Sequence, residues 1–457
     1  MTIFLMFVVC VVVALVVAAY ALVRLGSIQA PVHADEVHTV ATEDLWGIRL
    51  CRYKAKGGLG EPVFLCHGFM STQFNFAVPP GESIVDYLAG KGYDCWAIDL
   101  RGRLSSVPPF GHTRDQATID DYLLRDIPAA IDYIRKHTGF DKVHWVGHSM
   151  GGMLLYAYDA TIGSKLLASA TTLGSPVGFE GVEVTSAAGF LLLCLRLSSR
   201  AFRGAVRVIM SPLQWFQPHS SLIPINWHNM NPKVGTRDLY AAFSAPPLPV
   251  AEHMRACATN RVWRVKNNEV DVVASLKDLR VPLLAVFGAG DPFVPIPSAE
   301  AFFDNIAERD KRLLVLSKEN GHAADYSHVD LVMGGECAKD VYEPVESWLK
   351  AHPIQGASKV KTPDAAGDAK AAAPKKARAK RAPAKKKPAA KKKPAAKKKP
   401  AAKKKPAAKK KPAAKKKPAA KKKPTAKKKP TAKKKPTAKK KPTAKKKPAA
   451  KPGPAGR

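Results

Sequence analysis

Residues 143–154 read VHWVGHSMGGML. The apolar run KVHWV (142–146) leads into Gly147, Ser149 and Gly151, and the segment MGGMLLYAYDA (150–160) follows with a helical pattern. A serine spaced two residues from a glycine on each side, between a strand and a helix, fits a sharp turn that lifts its hydroxyl to a sheet edge at a helix N-terminus. Side chains at 147 and 151 would collide in such a bend. G-x-S-x-G alone is a common pattern. Set between a strand and a helix it marks Ser149 as a candidate nucleophile.

A serine hydroxyl attacks poorly at neutral pH. It needs an imidazole to take its proton and a carboxylate to orient that imidazole. In a strand–turn–helix context the chain order is serine, acid, histidine. Asp291 in AVFGAGDPFVP follows an apolar strand, and Asp99 after CWAI is a second candidate acid. Two histidines follow the last strand, RLLVLS: His322 in ENGHAAD and His328 in DYSHVDLV. By position both qualify. Charge developing on a substrate oxygen needs waiting backbone N–H groups. Met150, next to the serine, and Phe69, after the strand VFLC, are the candidates. His67 and His148 are expected to orient backbone rather than to move protons. The sequence shows no metal site and no cofactor motif.

Outward from this stretch, residues 37–353 alternate apolar runs with amphipathic ones. PVFLCHG (62–68), YDCWAIDLRG (93–102), KVHWVG (142–147), VPLLAVFG (281–288) and RLLVLS (312–317) read as strands. SIVDYLAGKG (83–92), TIDDYLLRDIPAAIDYIRKHTG (118–139) and KDVYEPVESWLK (339–350) read as helices, the last with Pro344 at a start or kink. Such alternation predicts an α/β domain, a mostly parallel sheet with helices on both faces. It breaks between about 176 and 278, where AAGFLLLCLRL and VRVIMSPLQWF are too apolar for a solvated loop. That insert is expected to form a helical cap over the carboxyl end of the sheet.

PVFLCHGFM, GYDCW with the Arg101-Gly102 pair, DIPAAIDYI, VHWVGHSMGG and YSHVD occur in the order seen in α/β-hydrolases of the acid-lipase type, which the chain resembles over roughly residues 40–350. The resemblance implies the α/β-hydrolase fold and hydrolysis of carboxylic esters of acyl lipids. Its H-x-D motif matches His328 with Asp330 and so favours His328 over His322. Acid lipases usually carry Gln where this chain has Met150. Phe190, Leu191, Leu192 and Leu193, with Gln214, Trp215 and Phe216, are apolar cap residues suited to an acyl chain. A serine at 149 argues against polyhydroxyalkanoate synthases, which use cysteine there, and dehalogenases, which use aspartate.

The two ends differ in kind. Residues 2–23, TIFLMFVVCVVVALVVAAYALV, carry no charge and are long enough to cross a bilayer. A cleaved signal would show a basic leader and a shorter apolar core, so residues 1–25 are expected to remain as a transmembrane anchor. Arg24 favours the following domain on the cytoplasmic side, as in a single-pass protein of a bacterial inner membrane. The seven cysteines form no CxxC pair and read as small buried hydrophobes.

Of the 75 Lys and Arg, 43 fall in residues 351–457 with 2 acidic residues, which leaves 32 basic against 35 acidic in the first 350. The net charge of +38 therefore belongs to the tail. From Pro388 to Pro448 a proline recurs every sixth residue in KKKPAA or KKKPTA units, which excludes a long helix and predicts an extended, disordered tail over 354–457. It resembles the lysine-rich tails of linker histones and bacterial histone-like proteins. Counterion release would bind it to nucleic acid (DNA or RNA), polyphosphate or anionic headgroups without sequence preference. Two classes of function are open: a membrane-anchored serine esterase or lipase, and a non-catalytic tether between membrane and polyanion.

Overall fold

The computed structural model describes residues 2–28, 30–103, 105–177, 199–218 and 224–355. Eight strands form one sheet: β1 Glu36–Ala41, β2 Gly47–Tyr53, β3 Pro62–Cys66, β4 Asp94–Asp99, β5 Val143–His148, β6 Leu167–Leu173, β7 Leu283–Gly288 and β8 Lys311–Leu316. Their order is β1-β2-β4-β3-β5-β6-β7-β8. β2 runs antiparallel to both of its neighbours, and every other pairing in the sheet is parallel.

Strands β3, β4, β5 and β7 are buried along their whole length, as strands covered on both faces must be. Successive residues divide between two cores. Phe64, Cys66, Trp96, Ile98 and Trp145 pack in one cluster, and Val63, Leu65, Cys95, Ala97 and Val146 in the other. This is the two-residue strand period seen from both sides. Besides the first helix, α1 Thr2–Ser27, the covering helices begin with α2 Ile84–Gly90, capped by Ser83, and α3 Ile127–Thr138. α4 Met150–Thr161 follows β5 directly.

Proline shapes two helices in the same way. Pro128 lies just after a π-turn at Tyr122–Asp126, and Pro344 just after another at Ala338–Tyr342. A proline inside a helix clashes with the carbonyl four residues back and leaves it without a donor. The wider turn takes up that mismatch, so both segments continue as helices, the second as α9 Glu343–Ala351.

Between β6 and β7 the described part of the insert holds α5 Ser199–Phe216, α6 Thr236–Ala242 and α7 Leu248–Asn260. The loop leaving the carboxyl end of β3 is bonded to it, Thr72 N–H to the Ala242 carbonyl (3.0 Å) and Ser244 N–H to the Met70 carbonyl (2.8 Å). α8 Ile296–Asp304 completes the set between β7 and β8. α1 is long and apolar enough to cross a membrane, and its stretch Cys10–Ser27 is almost wholly uncovered. Among the described residues five cysteines are buried, Cys10 is exposed, and all six are free thiols. The apolar cap segment 187–197 and the lysine-rich tail from 356 lie outside the described residues.

Candidate active site

The turn after β5 has the strain that the sequence pattern predicts. Ser149 has φ 55 and ψ −122, a conformation that costs a non-glycine residue about 1–3 kcal/mol. The two glycines permit it. A Cβ on Gly147 would lie 2.5 Å from the backbone of Gly151, and one on Gly151 would lie 1.9 Å from the Cys66 carbonyl oxygen. Ser149 is fixed from below by its N–H, which bonds the Leu173 carbonyl at the end of β6 (2.8 Å).

The residue after Leu173 brings the second half of the site close. A Cβ on Gly174 would sit 3.2 Å from His328 Nδ1 and 3.3 Å from Asp291 Oδ2. His328 and Asp291 are themselves joined, Nδ1 to Oδ2, at 2.6 Å, and both are buried. Asp291 Oδ1 also accepts the Phe293 N–H (2.8 Å), which holds the carboxylate in one orientation. Among the described residues His328 Nε2 has no protein partner, so a proton acceptor remains free on the ring.

The two alternatives are not brought to this pair. His322 turns its Nδ1 to the Ser317 carbonyl at 3.2 Å. It is held by its own loop because it sits at a turn immediately after β8. Asp99 is buried, but its oxygens accept the Gln73 N–H (2.8 Å) and the Ser105 hydroxyl (2.5 Å). It serves the loop after β3, and among the described residues no histidine is hydrogen-bonded to it. Asp330, the second half of the H-x-D motif, takes the Ser327 N–H (3.0 Å), the Asn226 N–H (3.1 Å) and Asn229 Nδ2 (2.8 Å). Burial raises its pKa and those donors oppose the rise. Asp330 therefore ties the histidine loop to the insert.

His148 receives a bond from Asn75 Nδ2 on Nδ1 (3.0 Å), and so donates its Nε2–H to the His328 carbonyl (3.0 Å). His67 accepts the Leu100 N–H on Nε2 (3.3 Å) and so donates Nδ1–H to the Gly68 carbonyl (2.8 Å). Each is a neutral imidazole splinting a loop. Burial, and next the neighbouring His328, bring His148 down to about 3, and burial likewise depresses His67.

This has a consequence for acid stability. Below the ordinary value of 6.5 the unfolded chain takes up a proton at His148 that the native chain refuses. The stabilisation is complete above 6.5 and is lost as pH falls from there towards 3. At pH 5 the loss is ~2 kcal/mol for this one group. Urea unfolding at pH 7.5 and pH 5 is expected to show a lower midpoint in acid; equal midpoints would mean the ring is solvated.

Beside Ser149 lies the Gly68-Phe69 turn. A Cβ on Gly68 would come within 3.1 Å of Ser149 Cβ. Among the described residues neither the Phe69 N–H nor the Met150 N–H is spent on a protein acceptor. Arg103, fully buried, reaches this turn. It donates to the Phe69 carbonyl (2.7 Å) and to the Ala245 carbonyl in the insert (3.2 Å). Neither Arg103 nor Asn75 was legible as a site residue, because their partners lie 34 to 142 positions away and obey no local period.

The expected acyl pocket fares differently. Trp215 and Phe216 are 81% and 70% exposed, and Gln214 is bonded to the Val234 carbonyl (2.9 Å). α5 turns Trp215 and Phe216 outward, while Gln214 lies on the face that packs on the domain. Phe190, Leu191, Leu192 and Leu193 lie outside the described residues.

Comparison with known proteins supports the same frame. The family described as alpha/beta hydrolase fold matches residues 61–192. Lipase 1 of Drosophila melanogaster is 34% identical over 125 residues, 26% of this chain and 28% of that one. Human gastric triacylglycerol lipase is 29% identical over 149 residues, 29% of this chain and 37% of the lipase. The chain thus spans less than two fifths of the length of these two curated relatives. Among solved structures, the esterase RhEst1 from Rhodococcus sp. ECU1013 aligns at 18% identity and a TM-score of 0.46, over 69% of this chain and 99% of that one. The family match runs from β3 through the Ser149 turn, and the sheet order with its single reversed strand accounts for the rest: the chain has the α/β-hydrolase fold.

Proposed function

We propose that the chain hydrolyses carboxylic esters of acyl lipids through an acyl-enzyme on Ser149. The observation that carries this reading is the strained Ser149 turn, set beside a buried His328–Asp291 pair. His328 Nε2 takes the Ser149 proton as Oγ attacks the ester carbonyl. The Phe69 and Met150 N–H groups receive the resulting oxyanion. Collapse of the tetrahedral adduct breaks the ester C–O bond, and the alcohol leaves with the proton held by His328. Water, deprotonated by the same ring, then releases the acid and restores the hydroxyl. Asp291 keeps Nδ1 protonated and steadies the imidazolium. A fluorophosphonate probe is expected to label the wild-type chain and not Ser149→Ala; an unlabelled wild type would end this reading.

In the same proposal α1 anchors the enzyme in a membrane, and residues 357–457 hold it to a polyanion by counterion release. Each neutralised phosphate adds close to one unit to the slope of log affinity against log salt. Deleting 357–457 is expected to abolish salt-sensitive retention on DNA and to leave ester hydrolysis intact. Unchanged retention would remove the tail from the function.

A further inference from the structure

α5 has two faces of opposite use. Met210 is buried, Leu213 packs on the core, Gln214 bonds the Val234 carbonyl, and Ser211 bonds the Tyr240 hydroxyl. That face holds the helix on the domain. The other face carries Val208 and Ile209, each 54% exposed, then Pro212, Trp215 and Phe216. The spacing i, i+1, i+4, i+7, i+8 puts all five on one stripe. The Trp215 and Phe216 rings lie 4.8 Å apart at its end. Five apolar side chains in water are a surface waiting for an apolar partner.

The surroundings of the stripe point to its occupant. α5 crosses the last turns of α1 at backbone contact. A Cβ on Gly204 would lie 1.9 Å from the Leu22 carbonyl oxygen, and one on Gly26 would lie 1.8 Å from that of Arg200. The Arg207 guanidinium bonds the Leu25 and Ile28 carbonyls, using acceptors that the end of a helix leaves open. α5 is therefore locked at the end of the apolar span of α1, whose residues 10–21 are exposed along their length. Arg24 and Arg200, both exposed, sit at this junction, where long basic side chains reach headgroups.

We infer that the outer face of α5 is an interfacial membrane helix, seated at the headgroup–acyl boundary of the bilayer that α1 crosses, with Trp215 and Phe216 as its anchors. A helix with one apolar and one polar face lies in that plane, and tryptophan is favoured there. The inner face of the same helix borders a cavity shared by Arg203 and Val206 with Met70, the residue after Phe69. That cavity adjoins the loop that carries Phe69, so the lipid surface borders the loop beside Ser149, and the substrate is a lipid resident in the bilayer rather than a dissolved ester. This rests on reading α1 as an anchor and Ser149 as the nucleophile.

Tryptophan emission tests it in the full-length chain. Of the seven tryptophans Trp215 is the exposed one; Trp46, Trp96, Trp145, Trp227 and Trp263 are buried, and Trp348 is half-buried. In vesicles of phosphatidylcholine with brominated acyl chains, the wild-type emission is expected to be quenched and the quenching lost in Trp215→Phe. Equal or absent quenching, in a chain that resists an alkaline carbonate wash, overturns the inference while leaving the anchor. Its cause would be a second copy of the chain covering the stripe. Release by the wash overturns the anchor and the inference together. Ile209→Glu/Phe216→Glu is expected to lower the rate on vesicle lipid about tenfold and to leave the rate on soluble p-nitrophenyl butyrate unchanged. An unchanged vesicle rate, or an equal loss on both substrates, counts against it. The quenching arm does not depend on catalysis, so failure of the Ser149 reading remains distinguishable.

Discussion

Ser149→Ala is expected to cut kcat on a short p-nitrophenyl ester by about 10⁶-fold, and His328→Ala by a comparable factor. Asp291→Asn should cost ~10⁴-fold, because the amide favours the wrong tautomer of the ring it faces at 2.6 Å. Members of a catalytic triad act as one unit, so on the proposed assignment Ser149→Ala/His328→Ala should be no slower than Ser149→Ala alone. His322→Ala should keep kcat within a few-fold, since among the described residues that ring bonds a carbonyl of its own loop. Steady-state kinetics of the five variants decide the assignment. Loss of activity in His322→Ala with retention in His328→Ala would reverse it. A multiplicative loss in the double variant would mean that the serine and histidine work separately.

The second large effect lies in a residue with no side chain. Gly151→Ala should destabilise the domain by about 3 kcal/mol and also abolish fluorophosphonate labelling. The added methyl meets the Cys66 carbonyl oxygen at 1.9 Å, and its next contacts are the Cys66 carbonyl carbon at 2.5 Å and the His67 carbonyl oxygen at 2.9 Å. All three are backbone atoms of β3 or of the residue that follows it. No rotamer change relieves such a contact. Either α4 moves off the sheet or β3 does, and overpacking of this kind costs roughly 1–3 kcal/mol or more. Because the β3 loop carries Phe69 and α4 carries Met150, the same shift parts the two N–H groups. Thermal unfolding and probe labelling should fall together. A variant that melts with the wild type and still labels would show that the turn has room to spare.

The residues around Ser149 were readable because each obeys a local rule. A strand, a bend and a helix each leave a period or a glycine, and the acid and histidine follow strand ends in order. The His322 and His328 pair shows the limit. Both occupy the loop after β8, and only the fold decides which ring turns towards Asp291. Arg103 was out of reach, since nothing in its neighbours announces a bond to Ala245 in the insert. β1 went unread for a different reason. Its burial alternates between partial and exposed in EVHTVA, as suits an edge strand, and so its apolar signal is faint. α5 was recognised as apolar, but composition does not say which way a face points. Apolar character suits Trp215 and Phe216 to an acyl pocket, and the helix register puts them on the outside instead.

Two side chains that bond the insert have a practical consequence for protein engineering. Asp330 grips the Asn226 N–H and the Asn229 side chain beside His328, and Arg103 grips the Ala245 carbonyl beside the Gly68-Phe69 turn. A chimera that imports a foreign cap in order to change chain-length preference would cut both moorings at once. The graft would need its own backbone N–H, asparagine amide and carbonyl at those points; without them the chimera inherits a new roof and loses the alignment of the floor beneath it.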